Sequence, residues 1–175
     1  RSLRGMALLP KAGGMPDVEL LDRYVADRFE GSVDVLVRRH GPMVLGVCRR
    51  LLRDQHEAED AFQAVFMVLV RKADSIVPRG MVGNWLYGVA NRTALRARAV
   101  RARVNRRERQ MEVLPETEVE DQRGWRDLKP VLDRELNRLP DEYRVAIVLC
   151  DLEGKSRFEA ARQLGLPEGT VSSRL

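Results

Sequence analysis

The sequence predicts an all-α chain: two small helical domains joined by an acidic linker. Three observations carry this. From Asp17 onward apolar residues recur at spacings of three and four, the period of an amphipathic helix, and no stretch alternates as a strand would. Gly and Pro punctuate that pattern where helices must end. Between residues 112 and 121 five acids and no base gather beside Pro115, which suits a linker better than a packed element. The predicted layout is a tail and first helix at 1–30, a first domain at 31–106, the linker at 107–127 and a second domain at 128–175.

Composition narrows the function classes. Of 175 residues 44% are hydrophobic, enough for a core, and 33% are charged, as on solvent-facing surfaces. The net charge of +5 matters less than its distribution. Residues 92–109 hold eight arginines and one acid, Glu108, so a polyanion-binding surface precedes a linker that a polyanion repels. Cys48 and Cys150 lie far apart in apolar helical contexts, which predicts two buried free thiols in a reducing, cytoplasmic compartment. His40 and His56 show no ligand-like spacing with them, so no metal or cofactor is expected. No apolar run approaches the roughly 20 residues of a membrane span, and no signal-peptide pattern is present. The sequence starts at Arg1 rather than Met, as a fragment or processed chain would.

In chain order, residues 1–16 read as a loose tail. Helices follow at 18–29, 33–39, 43–52 and 57–73, with breaks at Gly31, at Gly41-Pro42 and across 53–56. The segment EAEDAFQAVFMVLVRKA opens with three acids, favourable at a helix N-terminus. All of 61–70 except Gln63 is apolar, so the helix is apolar all round. It is either central to its bundle or packed on a partner as well, and composition leaves both open.

A turn-rich loop at 78–83 leads into a long helix from about Asn84 to Arg109. On a helical wheel Leu86, Val89, Ala90, Thr93, Ala97, Val100 and Val104 share about one third of the circumference, the expected buried face. Trp85, Arg92, Arg96 and Arg103 project together within about 40°, and Asn84, Asn91 and Arg98 lie on a third side. An exposed row is therefore expected, running from an aromatic and amides to guanidiniums. Guanidiniums hold phosphates, amides hydrogen-bond base edges, and aromatic rings stack on unpaired bases. Trp85 fits either this row or the core.

The second domain carries GKSRFEAARQLGLPEGTVSSRL, a helix-turn-helix pattern. Ser156 and Glu159 form a capping box, and Gly165 stands where a left-handed residue ends the first helix. Phe158, Ala161 and Leu164 form its inner face. Pro167 precedes a second helix that turns Val171 and Leu175 inward and leaves Thr170, Ser172, Ser173 and Arg174 outward, as a recognition helix requires. The sequence stops about two turns into that helix, so weak duplex binding is expected of it as it stands.

Together the blocks RRHGPMVLGVCRRLL, DQHEAEDAFQAVFMVLVRKA, NWLYGVANRTALRARAVRAR and RLPDEYRVAIVLCDLEGKSRFEAARQLGLPEGTVSSRL resemble a bacterial RNA polymerase sigma factor of the extracytoplasmic-function (ECF) group. The resemblance implies a region 2 domain, a region 4 domain and no active site. It implies that Asp60, Gln63 and Phe66 dock on the clamp helices of the polymerase's largest subunit. The family's usual Glu-Thr pair after that Gln is Ala64-Val65 here. Asn84, Trp85, Tyr87, Asn91, Arg92, Arg96, Arg98 and Arg103 would recognise and melt the −10 promoter element. Glu168, Gly169, Thr170, Ser172, Ser173 and Arg174 would read the −35 element, and an anti-sigma factor is an implied partner. The rivals are a stand-alone helix-turn-helix regulator, which needs no polymerase-facing surface, and a membrane-surface protein using the arginine helix, for which Trp85 is the sole apolar anchor. An enzyme lacks support, since no Ser/His/Asp set, metal cluster or phosphate loop is present.

Overall fold

The structure, a computed structural model, describes residues 14–111 and 123–175, with side chains described over 14–106 and 131–175. Residues 1–13 of the expected tail and the acid-rich 112–122 of the expected linker lie outside the described residues. Among the described residues every regular element is helical. The helices are α1 (Asp17–Asp27), α2 (Glu30–Leu51), α3 (Gln55–Lys72) and α4 (Val82–Met111), with two short 3₁₀ turns between α3 and α4. Then come α5 (Arg123–Arg138), α6 (Asp141–Ile147) running into a π turn (Val148–Leu152), α7 (Arg157–Leu164) and α8 (Glu168–Ser173).

Helices α1–α4 pack around Leu20, Leu36, Val44, Val47, Val65, Leu69, Leu86 and Ala90, all without solvent exposure. Their burial supplies the drive for the bundle, about 1.5–3 kcal/mol for each large aliphatic side chain. Asp54 caps α3 by accepting the Glu57 N–H at 3.1 Å. A smaller cluster of Val145, Ala146, Leu149, Ala160, Ala161 and Val171 holds α6, α7 and α8 together. The two units are not separate bodies, because Leu136 of α5 and Val148 of the π turn join the core of the first bundle.

Several boundaries differ from those predicted. The break expected at Gly31 falls earlier, at Arg28 and Phe29 between α1 and α2, and the one expected at Gly41-Pro42 does not occur, since α2 runs unbroken through Pro42. Proline removes one backbone hydrogen bond there. Buried Val35 and Leu36 on one side, and Met43, Val44 and Val47 on the other, hold both halves in one rod. Gly41 faces the Phe62 ring, where an added Cβ would lie at 3.6 Å, so α2 and α3 approach closely. Helix α4 begins at Val82 and reaches Met111, and α5 begins at Arg123, so helix occupies both ends of the predicted linker span.

Packing also departs from the wheels. Val100 and Val104 are 53% and 46% exposed, because they line an open cleft between α4 and the Glu57–Ala64 part of α3 instead of a closed core. Phe158 is 62% exposed in the first turn of α7, where Ala160, Ala161 and Leu164 supply the inner face instead. Leu175 is exposed, since α8 ends at Ser173 and the helical period no longer places it. Cys48 is buried as expected, and Cys150 is only partly so.

Candidate nucleic-acid interface

The arginine half of α4 is the exposed part of the expected row. Arg92, Arg96, Arg98 and Arg103 are all exposed. The row does not continue through the amides. Asn84 and Asn91 are each 4% exposed and Tyr87 is fully buried. Trp85 is partly buried against the core of the first bundle, closer to the core alternative than to a free stacking platform.

At Asn84 and Tyr87 the second unit reaches α4. Arg144 of α6 donates from Nε to Asn84 Oδ1 at 2.9 Å. The Tyr87 hydroxyl donates to Asp133 Oδ1 at 2.9 Å. Asp133 also receives both Nε and Nη2 of Arg50, each at 2.9 Å, a two-pronged charge-assisted pair. Burial pushes the Tyr87 hydroxyl well above its ordinary range, and the neighbouring Asp133 charge adds to this. The Asn91 amide nitrogen is buried with no partner in the structure.

A second polar cluster joins the units near the start of α4. His40 is fully buried, with Nε2 at 3.1 Å from Asp17 Oδ2 and Nδ1 at 2.5 Å from Glu153 Oε1. Burial alone would raise the Asp17 carboxyl, but the His40 bond and charge, helped by Arg39, hold it down at about 2. Burial likewise opposes ionisation of Glu153, and His40 and Lys155 outweigh it to keep that carboxyl below its ordinary value. Burial would lower His40, yet its two carboxylate partners raise it. Gly83 makes room for this cluster: a Cβ there would lie 2.9 Å from Glu153 Oε1 and 3.2 Å from the His40 ring.

On α3, Asp60 and Gln63 are exposed, whereas Phe66 is 7% exposed and packs edge-on against Phe62 with centroids 5.0 Å apart. Beside Gln63 an apolar groove is lined by Val37, Phe62, Phe66, Met67 and Val70, with Met67 56% exposed. Val37 of α2 and Met67 and Val70 of α3 were not singled out from the sequence, although an α3 apolar all round was the clue to the latter two. Around the other side of α3, Asp60 and Arg96 line a cleft floored by Ala61, Ala64 and Ala97. The structure thus brings together one residue from the polymerase-docking set and one from the −10 set.

Helix α8 presents Glu168, Gly169, Ser172 and Ser173 to solvent, with Thr170 and Arg174 half-buried. Arg174 pairs with Glu142 at 3.3 Å, and Ser173 Oγ donates to the Thr170 carbonyl at 2.9 Å. The capping box of Ser156 and Glu159 and the left-handed Gly165, at φ 67°, set α7 against α8 as the sequence predicted. No helix among the described residues is long and apolar enough to cross a membrane.

Comparison with known proteins identifies both segments of the chain. The family model for Sigma-70 region 2 matches residues 36–104, and that for Sigma-70, region 4 matches residues 131–175. The ECF RNA polymerase sigma factor SigM of Mycobacterium tuberculosis is 35% identical over 159 residues, covering 90% of this chain and 78% of that protein. SigE of Mycolicibacterium smegmatis is 35% identical over 157 residues, covering 82% of this chain. The chain spans only 57% of that relative's length. A solved structure described as CnrH in complex with the cytosolic domain of CnrY aligns over 91% of this chain and 89% of that one, at 21% identity and a TM-score of 0.43. The chain belongs to the sigma-70 family of RNA polymerase sigma factors, in its ECF group.

Proposed function

We infer that this chain is a promoter-specificity subunit, binding core RNA polymerase and directing where transcription starts. The observation that carries the reading is the presence of both family segments in order, residues 36–104 and 131–175. Core polymerase does the chemistry, and the chain contributes no catalytic group. Asp60, Gln63 and Phe66, with the groove containing Met67 and Val70, form the polymerase-docking side. Its exposed apolar surface is a feature that a stand-alone helix-turn-helix regulator does not need.

The arginines of α4 hold the DNA backbone. Asn84, Trp85, Tyr87 and Asn91 receive bases of the melted −10 element once the second unit moves away. Stacking contributes about 1–3 kcal/mol per base, comparable with the few kcal/mol lost on unstacking it. Helix α8 reads the −35 element through Glu168, Gly169, Thr170, Ser172, Ser173 and Arg174. The working compartment is the cytoplasm, and an anti-sigma factor is the expected holding partner.

The test is reconstitution of the chain with core polymerase on a promoter library. Specific run-off transcripts are expected, and absence of promoter-dependent initiation on every template overturns the reading. Failure to pull down core subunits, with duplex binding retained, would favour the stand-alone regulator.

A further inference from the structure

We propose that the chain locks itself: the second unit closes over the Asn84–Tyr87 side of α4, and a proton on His40 holds the lock shut. The geometry at His40 carries this. Its two ring nitrogens face carboxylate oxygens from different units, Asp17 Oδ2 at 3.1 Å and Glu153 Oε1 at 2.5 Å. Ionised carboxylates only accept hydrogen bonds, and a neutral imidazole donates from one nitrogen only. Both contacts are therefore satisfied only by the imidazolium. A neutral ring would set a bare nitrogen against a carboxylate oxygen in a site without water exposure.

The surrounding groups explain why this proton joins the units. From α2, Arg39 pairs with Asp17 of α1, both in the first unit. Following the π turn, Lys155 Nζ donates to Glu153 Oε2 at 2.7 Å, both in the second unit. Gln163 of α7 is uncharged; its Nε2 donates to Asp17 Oδ2 at 2.8 Å and its Oε1 accepts from Lys155 Nζ at 2.7 Å. From α4, Gly83 faces the cluster without a side chain. Each carboxylate thus keeps a cation of its own unit when His40 is neutral. At this corner, among the described residues, the imidazolium is the charge that both carboxylates share across the units. Deprotonation leaves the neutral Gln163 bond there, and the Arg50–Asp133 and Arg144–Asn84 contacts elsewhere must hold the closure.

The lock stands on this geometry alone; that the covered residues form a DNA face rests on the function proposed above. The sign follows from the cluster. His40 is raised above its ordinary value by its two carboxylates against the opposing effect of burial. Closure is therefore full below about pH 6.5 and weakens as pH rises through the raised His40 value.

The free full chain would be followed from pH 5.5 to 9 by small-angle X-ray scattering and by the two histidine ring signals, with His56→Gln assigning them. The expected result is a rise in radius of gyration whose midpoint coincides with the His40 titration. Glu153→Gln and Gly83→Ala should be expanded already at pH 6, where the native chain is compact. Gly83→Ala adds a helix-favouring methyl group and alters no charge, and far-UV circular dichroism separates opening from unfolding. Asp133→Asn should move the same step to lower pH. A radius independent of pH, a step that does not follow His40, or compact Glu153→Gln and Gly83→Ala variants would each overturn the lock. A step with no accompanying change in single-stranded DNA binding would leave the lock standing and remove the DNA-face reading of α4.

Discussion

Asp133 of α5 ties its helix to two side chains of the first bundle, Arg50 of α2 and Tyr87 of α4. Its side chain is fully buried and accepts from both prongs of Arg50 and from the Tyr87 hydroxyl, while its backbone carbonyl accepts Asn137 Nδ2 at 2.7 Å. Removing one member of a buried ion pair leaves the other charge desolvated without compensation. Asp133→Ala should therefore lower unfolding stability by about 3 kcal/mol, measured by urea denaturation. A loss under about 1 kcal/mol would reduce the pair to an ordinary surface contact. No sequence signal announces this residue. Its partners Tyr87 and Arg50 lie 46 and 83 positions away, and nothing local distinguishes a carboxylate on a docking face from one on a solvated face. Ser156 and Gly165 were legible because a capping box and a left-handed terminus are settled within a few residues.

Helix α4 shows what periodicity does and does not determine. Its apolar stripe places Leu86, Val89 and Ala90 in the core as predicted, because neighbouring helices are there to receive them. The same stripe continues through Val100 and Val104, where it lines an open cleft against α3 and stays half exposed. Asn84 failed in the opposite direction: it reads as exposed on the wheel, and Arg144 of a distant unit covers it. Pro42 failed for a related reason, since tertiary packing on both sides outweighs one missing backbone bond. Arg92, Arg96, Arg98 and Arg103 are exposed, as the wheel predicts. Changing Arg96 and Arg103 to Ala should lower the log–log salt slope of DNA binding by about one unit each, in a titration across salt concentrations. An unchanged slope would return them to solubilising a long helix, since neither supports the core.

Across the whole molecule, the buried ionic cluster sets a pH window for stability. Asp17, held at about 2, and Glu153, held below its ordinary value, stabilise the fold above their unfolded values of about 4. That contribution is lost as pH falls through their folded values. His40, raised in the fold, contributes fully below about 6.5 and is lost as pH rises through its folded value. Urea midpoints should therefore peak between about pH 4.5 and 6.5 and fall on both sides; a midpoint still climbing at pH 8 would contradict the assignment. The all-α class and the two-unit layout were readable because each rests on repeated local patterns. How the units meet was not, because docking depends on side chains that only the folded chain brings together.

The accessibility of α8 has a consequence for timing. In the closed arrangement α8 keeps Ser172 and Ser173 in solvent while Asn84 and Tyr87 are withheld. On the proposed function, a closed chain could sample intact duplex but could not capture strands that breathe apart by chance. Search and commitment would then be successive stages, with the reader of paired DNA available first and the receiver of unpaired bases released second.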